Sequence, residues 1–477
     1  MRRTKIVCTI GPASDSPEVL EQLIAAGMDV ARLNFSHGTH EEHARRIRII
    51  RELSERLGKP VAILQDLSGP KLRIGAMARE VFLTPGQPFR LTTRDIIGNE
   101  REVSIPLETL PRCLEPGNRL YLNDGIIELL VTATSDTEIE TVVRAGGPLN
   151  SHKGLSIPDV SIDVAPVTPK DLDDLDFGIR EGVDWVAASF VRAATDLAPL
   201  RERMMERGAR IPILAKIEKH EAVSNLTGIL DVADGAMVAR GDLGIEVSID
   251  QVPLIQKNII ARCNVLAKPV ITATEMLDSM HDRPRPTRAE VTDVANAIFD
   301  GTDCVMLSRE TATGRFPVEA VRMMDRIAVR TESSMRYQQQ LRDRPNTRAQ
   351  NVTDAVGEAV RDMANDLNVA AVVPATTSGY TARIMAKYRP LCPIIAVSHR
   401  PETVRRLALT WGTLPMLSGP VHSTDEMLRE AIASALQSGL VKNGDLVIIS
   451  AGVPAATAGQ TNLIKVERVG SSGEAAT

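Results

Sequence analysis

The chain has 477 residues, 43% hydrophobic and 25% charged, with a formal net charge of −5. That length supports about three domains with cores of their own, and the composition excludes a largely disordered chain. The mild acidity excludes bulk attraction to nucleic acid or to an anionic membrane, so any anion must be held by a local cluster.

The five cysteines, Cys8, Cys113, Cys263, Cys304 and Cys392, show no C-x-x-C spacing, which argues against a disulfide framework or a zinc site and for a reducing, cytoplasmic setting. The start "MRRTKIVCTIGPAS" carries an apolar run too short for a signal peptide, stopped at Gly11-Pro12, and no window is apolar enough for a membrane helix.

In chain order, eight short apolar runs bounded by turn residues read as strands: "KIVCTI" (5–10), "DVARLNF" (29–35), "VAILQDL" (61–67), "DWVAASF" (184–190), "PILAKIE" (212–218), "GAMVAR" (235–240), "PVITAT" (269–274) and "DCVMLS" (303–308). Amphipathic segments such as "PEVLEQLIAAG", "HARRIRIIRELSERLG" and "DQVPLIQKNIIARCNVLA" separate them. Buried parallel strands alternating with helices, eight times over, predict an α/β fold built on a closed (β/α)₈ TIM barrel.

The third and fourth runs stand more than a hundred residues apart, too far for one crossover. Within that gap the pattern turns to short alternating stretches broken by Gly and Pro, which predicts a small β-barrel domain over 71–158, inserted at a surface loop as a lid. The barrel then takes residues 1–70 and 159–337. The segment "QQQLRDRPNTRAQN" reads as a polar linker, and a C-terminal α/β domain over 350–477 follows, with strands at "VAAVVPAT", "PIIAVS", "DLVIIS" and "TNLIKVERV" and a disordered tail "GSSGEAAT".

In such a barrel the chemistry sits at the carboxyl ends of the strands. There the second run ends in Arg32 and Asn34 with Ser36 and His37 beyond, the third in Asp66 with Arg73 after it, and the fourth in Ser189 and Phe190. The fifth ends in Lys216 and Glu218, the sixth in Arg240 and Asp242, the seventh in Thr274, and the eighth in Ser308 with Glu310. A single Lys–Glu pair is more often an ordinary surface salt bridge worth about 0–1 kcal/mol. Structural pairs have no reason, however, to collect at one end of consecutive strands. Two carboxylates without His or Cys suit a hard cation, Mg²⁺ or Mn²⁺, and fixed cations beside it suit a phosphate ester. Nucleotide-binding glycine motifs are missing, so a nucleotide would be held by this rim and the inserted domain, where Lys153 returns to the barrel.

At these residues the sequence resembles pyruvate kinase, through "TKIVCTIGPAS", "ARLNFSHG", "SFVR", "AKIEKHEA", "MVARGDLGIEV", "KPVITATEMLDSM" and "RPTRAEVTDVANAIFDGTDCVMLSRETA", in family order. The resemblance implies transfer of the phosphoryl group of phosphoenolpyruvate to ADP, giving pyruvate and ATP in a cytoplasmic, allosteric homotetramer. By motif, Glu218 and Asp242 would bind the divalent metal, Arg32 and Arg73 would hold phosphate oxygens, and Lys216 would stabilise the transferring phosphoryl group and the enolate. Gly241, Asp242 and Thr274 would hold substrate, with Arg73, Lys153, His37 and Asn34 on the nucleotide side. The sequence does not identify the group that protonates the enolate; Thr274 and Ser308 are the candidates, acting through water.

Two departures qualify the match. Potassium-requiring members carry a pattern like D-T-K-G-P-E where this chain has "DLSGPK", with Leu67 in place of a threonine ligand and Lys71 in place of the glutamate. An ammonium there could supply the charge of K⁺, so activity without K⁺ is expected although Asn34, Ser36 and Asp66 match the monovalent-cation ligands. Arg309 stands where a glycine is usual.

In the C-terminal domain the loop Thr376, Thr377, Ser378, Gly379 and Thr381 opens a helix suited to a phosphate. With Tyr380 where a basic residue often stands, and neither Trp nor Arg in "AGVPAATAGQTN", a monophosphate effector such as AMP or a sugar monophosphate is expected over a bisphosphate. An ordinary helix cap, with no effector, is the competing reading. The alternatives to a kinase are a metal-dependent lyase of the phosphoenolpyruvate/pyruvate barrel class and a degenerate barrel that senses an effector.

Overall fold

The structure is a computed structural model describing residues 2–158, 160–162, 164–343, 351–453 and 461–470. Eight parallel strands close a barrel in chain order: Lys5–Thr9, Val30–Asn34, Ala62–Asp66, Trp185–Ala188, Ile213–Ile217, Gly235–Ala239, Val270–Ala273 and Cys304–Leu307, the last pairing with the first. Each lies within one of the eight apolar runs. Burial of both strand faces explains why those runs lack alternation.

The parity of the strands sorts the core into two layers. Val7, Val30, Leu64, Trp185, Ala187, Leu214, Met237, Ile271, Cys304 and Met306 cluster inside the barrel. Their neighbours, such as Ile6, Ala31, Ile63, Val186, Ile213 and Val305, pack outward against the helices. Stepping two residues along the inner series leads from Val30 to Arg32, Leu64 to Asp66, Ala187 to Ser189, Leu214 to Lys216 and Glu218, and Met306 to Ser308. Strand periodicity therefore aims these polar side chains at the axis where the apolar filling ends.

Helices follow the sequence signals at their ends. Pro17–Ala26 starts on Ser16 and ends at Gly27, and His40–Arg56 starts on a capping box of Thr39 and Glu42. No helix of the described residues is long and apolar enough to cross a membrane.

Between the third and fourth barrel strands a six-stranded sheet runs in the order Leu155–Ser156, Arg119–Leu122, Ile127–Thr134, Glu138–Ala145, Pro88–Thr92, Glu102–Ser104, beside a two-stranded ladder of Val81–Leu83 and Gly147–Leu149. It forms a half-barrel with an apolar core of its own around Phe89, Leu91, Leu120, Leu129 and Ile139.

A five-stranded sheet makes the C-terminal domain, in the order Thr413–Leu417, Ile394–Ser398, Ala371–Pro374, Leu446–Ala451, Leu463–Arg468. The strand Thr413–Leu417 was not among those expected. It is short, contains Pro415 and sits at the sheet edge, where a missing N–H is tolerated. A second difference is the helix Met335–Arg342, which takes the first residues expected to be linker. Ser334 caps it, and Tyr337 and Leu341, four residues apart, are buried. Residues 344–350, part of the expected linker, residues 454–460 of the "AGVPAATAGQTN" loop and residues 471–477 of the expected tail lie outside the described residues.

The C-terminal domain covers the amino end of the barrel, opposite the rim. Ala408 and Leu409 join the inner core, Lys5 Nζ donates to the Thr413 carbonyl at 2.6 Å, and Arg405 pairs with Asp184 at 2.7 Å. The buried Arg389 guanidinium donates to Asn264 Oδ1, Gly301 O and Asp303 Oδ1 at 2.8–2.9 Å and lies 4.3 Å from the Trp411 ring centroid.

Candidate active site at the carboxyl ends of the barrel strands

The predicted rim residues fall into a tight inner group and an outer set. At the centre, Lys216 Nζ donates to Ser189 Oγ at 2.7 Å and lies 3.4 Å from Asp66 Oδ1 and 3.5 Å from Glu218 Oε2. Arg32 completes the group through Nε to Asp66 Oδ2 at 2.6 Å and Nη1 to Thr9 Oγ1 at 2.9 Å. Glu218 is fully buried, and its Oε1 accepts from the Phe190 amide at 2.7 Å.

Burial disfavours every charge here, and the balance with the neighbours differs from group to group. Desolvation works to lower the Lys216 pKa, yet the Asp66 and Glu218 carboxylates outweigh it and hold the ammonium above its usual value. For Asp66, Lys216 and Arg32 overcome burial and lower the carboxyl. For Glu218 burial prevails, reinforced by Asp242, and the carboxyl is pushed up despite Lys216.

Glu218 Oε2 and Asp66 Oδ1 are both buried and receive no hydrogen bond. Orphaned carboxylate oxygens carry a desolvation cost that a cation would relieve. With Asp242 adding a carboxylate close enough to raise the Glu218 pKa, the donor set is all oxygen and fits a hard divalent ion. Among the described residues, the group of three His, Cys, Asp or Glu ligand atoms within 4.8 Å is instead His40, Asp173 and Asp174, on helices flanking the barrel, where Lys170 already pairs with Asp174 at 2.6 Å.

At the sixth and seventh strand ends, the Gly241 amide donates to Thr274 Oγ1 at 2.8 Å, while Thr274 itself has φ +65. Arg240 clamps this turn, bonding the Thr274 carbonyl at 2.6 Å and Asp293 at 2.7 Å. Ser308 Oγ is buried without a partner, and its amide donates to the buried Glu310 at 2.7 Å.

The outer set is more dispersed. Asn34 Oδ1 accepts from the Ser36 amide at 3.2 Å, Ser36 and His37 are exposed, and the His37 carbonyl accepts from His43 Nε2 at 3.0 Å. Arg73 donates to the His152 carbonyl at 3.0 Å, and half-buried Lys153 stands next to it on the segment returning from the inserted domain. The Lys71 ammonium has its ion pairs with Asp242 at 3.4 Å and Asp124 at 3.6 Å rather than with Asn34, Ser36 or Asp66. Arg309 pairs outward with Asp278 on the neighbouring turn, so its side chain leaves the rim free.

Sequence reasoning placed Ser189 and Phe190 at a strand end without giving them a role; they position Lys216 and Glu218. Gly69 was also missed. It has φ +64, and a Cβ there would lie 2.8 Å from Phe190 Cδ2 and 2.9 Å from Ser189 Cβ. The signal was available in "LSGPK", since a glycine just past a strand end is where backbone of another strand end can approach.

In the C-terminal domain, Thr376 Oγ1 accepts from the Gly379 amide at 3.0 Å, the Thr377 carbonyl accepts from Thr403 at 2.8 Å, and Arg383 reaches the Ser378 carbonyl at 3.4 Å. Thr381 is buried, with its Oγ1 2.8 Å from Thr461 Oγ1. The helix Tyr380–Tyr388 that starts here has no side-chain cap.

Compared with known families, residues 1–321 match the model described as pyruvate kinase, barrel domain, and residues 354–467 the model described as pyruvate kinase, alpha/beta domain. The chain is 51% identical over 469 residues to a pyruvate kinase of Geobacillus stearothermophilus, covering 98% of this chain and 80% of that one. It is 48% identical over 474 residues to a pyruvate kinase of Sporosarcina psychrophila and 47% identical over 473 residues to one of Staphylococcus aureus, covering 98% of this chain and 81% of each relative.

Proposed function

The chain belongs to the pyruvate kinase family, and from that premise we propose how its rim carries the family reaction. The enzyme is a phosphotransferase that moves the phosphoryl group of phosphoenolpyruvate to ADP, giving pyruvate and ATP, the last step of glycolysis. The lyase and sensor readings are not favoured.

Glu218 and Asp242 would hold the divalent cation that the family requires, Mg²⁺ by preference and Mn²⁺ as a substitute. When bound, that ion supplies a charge that neutralises phosphoryl and enolate oxygens. Arg32 and Arg73 would bind the phosphate of phosphoenolpyruvate. The Gly241 amide and Thr274 hydroxyl, now bonded to each other, would open to take the substrate carboxylate. Lys216 would face the oxygen between carbon and phosphorus, where negative charge grows as that bond breaks. Its ammonium is already fixed by Ser189, so little reorganisation accompanies the reaction. Lys153, His37 and Asn34 would meet the nucleotide. The enolate is then protonated at carbon, with Thr274 and Ser308 as the candidate groups for delivering that proton through water.

The observation that carries this assignment is the Lys216 ammonium held within 3.5 Å of Asp66 and Glu218, whose nearest oxygens lack any hydrogen bond. Pyruvate formation from phosphoenolpyruvate with Mg²⁺ and K⁺, measured with and without ADP and then repeated with K⁺ omitted, tests it. ADP-dependent turnover without K⁺ is expected. Turnover without ADP would indicate the lyase, no turnover the sensor, and a strict K⁺ requirement would remove Lys71 as the substitute cation.

Two further parts of the proposal lie outside the rim. The start of Tyr380–Tyr388, which has no side-chain cap, supports a phosphate-bearing effector there, with a monophosphate such as AMP or a sugar monophosphate as the proposed class. Homotetramer formation is supported by exposed Ile249 and Leu254 beside the rim helix Arg240–Glu246. Equilibrium binding of AMP and sedimentation of the purified protein check these two points.

A further inference from the structure

Lys71 projects from the segment that leaves the barrel for the inserted domain, and its ammonium lies between carboxylates from distant parts of the chain. Asp242 Oδ1 is 3.4 Å away and Asp124 Oδ1 3.6 Å. Asp124 belongs to the hairpin turn of the inserted domain, where Asn123, Asp124 and Gly125 all have left-handed backbone, with φ of 53, 54 and 86. Asn123 anchors that turn through its side chain to the Pro148 carbonyl at 3.0 Å and its amide to the Gly154 carbonyl at 3.2 Å.

The turn also meets the barrel. A Cβ on Gly125 would stand 3.4 Å from Ile245 Cγ1, on the helix Arg240–Glu246 that carries Asp242. Gly154 leaves room for the lysine stem, since a Cβ there would come within 3.0 Å of Lys71 Cε. Hinge, hairpin tip and rim thus converge on one ammonium.

We propose that Lys71 is a positioning residue that acts as a stand-in cation: it neutralises Asp242 while the divalent site is empty and ties the lid hairpin to the rim through Asp124, and metal entry displaces it. The inference rests on the reading of Asp242 as a metal ligand. An ammonium and a divalent ion beside the same carboxylate repel each other, and whereas Lys216 is held in place by Ser189, part-exposed Lys71 has only screened ion pairs and is the one free to yield. The side chains are 28%, 31% and 74% exposed for Lys71, Asp242 and Asp124, so water screens each pair and the exchange stays easily reversible. Metal loading and lid position then share one energetic link.

The test is Mn²⁺ binding to the substrate-free protein, followed by electron paramagnetic resonance at low ionic strength, together with hydrogen exchange of the Arg119–Leu122 and Ile127–Thr134 hairpin. Lys71→Met should tighten Mn²⁺ binding by about fivefold, an effect that shrinks in high salt, and should speed hairpin exchange in the metal-free protein. Lys71→Gln should do the same. Asp124→Asn should speed hairpin exchange while leaving the Mn²⁺ affinity within about twofold, because only the lid side of the link is cut. Unchanged or weaker Mn²⁺ binding in the Lys71 variants, or hairpin exchange equal to the parent in all three variants, would overturn the proposal. Asp242→Asn separates the two layers of the argument. If it retains Mn²⁺, the metal-ligand reading itself fails; if it loses Mn²⁺ and the Lys71 variants do not tighten, only the stand-in role fails.

Discussion

Lys216 Nζ lies 3.5 Å from Glu218 Oε2, an oxygen that no hydrogen bond reaches in a side chain with no exposed surface. Two residues apart on one strand, both point to the barrel axis, and the pair is left incomplete on the side where substrate and metal would enter. Breaking such a pair is costly, because removing one partner strands the other charge in the interior.

Lys216→Met should therefore reduce kcat by about a thousandfold or more, since the cation proposed to face the developing charge is lost. Stability should move in the same direction by about 3 kcal/mol, with Glu218 left uncompensated and Asp66 keeping only Arg32. Steady-state kinetics and urea unfolding read the two effects separately. Lys216→Arg should restore the folding but not the rate, because a planar fork does not fit the place of a point charge.

Glu218→Gln keeps the shape and removes the charge. Mn²⁺ affinity should fall by about tenfold or more while the fold persists, because Lys216 retains Asp66 as its partner. Calorimetric titration of the metal-free protein measures this. An affinity equal to the parent would place the divalent site elsewhere.

Gly69→Ala would force a Cβ into Ser189 and Phe190 at a left-handed φ of +64. About 1–3 kcal/mol of destabilisation is expected. Because Ser189 holds the Lys216 ammonium, kcat should fall as well, though much less than in Lys216→Met. A variant with normal stability and rate would show that this close approach has slack.

Arg389→Met tests the seam between barrel and C-terminal domain. It leaves Asp303 buried without its guanidinium at 2.9 Å and removes the stacking on Trp411. Loss of about 3–5 kcal/mol is expected, seen as an earlier thermal transition, with kcat of the surviving folded enzyme little changed.

Arg309→Ala should be close to neutral. The pair with Asp278 is at the surface, with Arg309 58% exposed, and is worth less than about 1 kcal/mol. Turnover within twofold of the parent is expected; a large loss would mean that this arginine acts on the rim after all.

Most of the barrel was legible because each strand carries its own signal: a short apolar run, buried on both faces, punctuated by turn residues. The rim was legible for a related reason. Once a strand is recognised, period two determines which residues at its end point inward, and Arg32, Asp66, Lys216 and Glu218 follow from counting. The edge strand Thr413–Leu417 was not, because half-exposed edges need little apolar sequence and accept Pro415. The helix Met335–Arg342 was hidden for a similar reason, its burial resting on Tyr337 and Leu341 within a polar stretch.

The sequence by itself determined the strands, the helices between them and the set of charges that could meet at the rim, since these depend on residues a few positions apart. Only the tertiary structure decided where the long side chains went. Lys71 could reach toward Asn34, Ser36 and Asp66 or toward Asp242, and Arg309 could face the rim or Asp278. Such choices depend on carboxylates brought together from positions as distant as 124 and 242, whose competing fields exist only after the chain has folded.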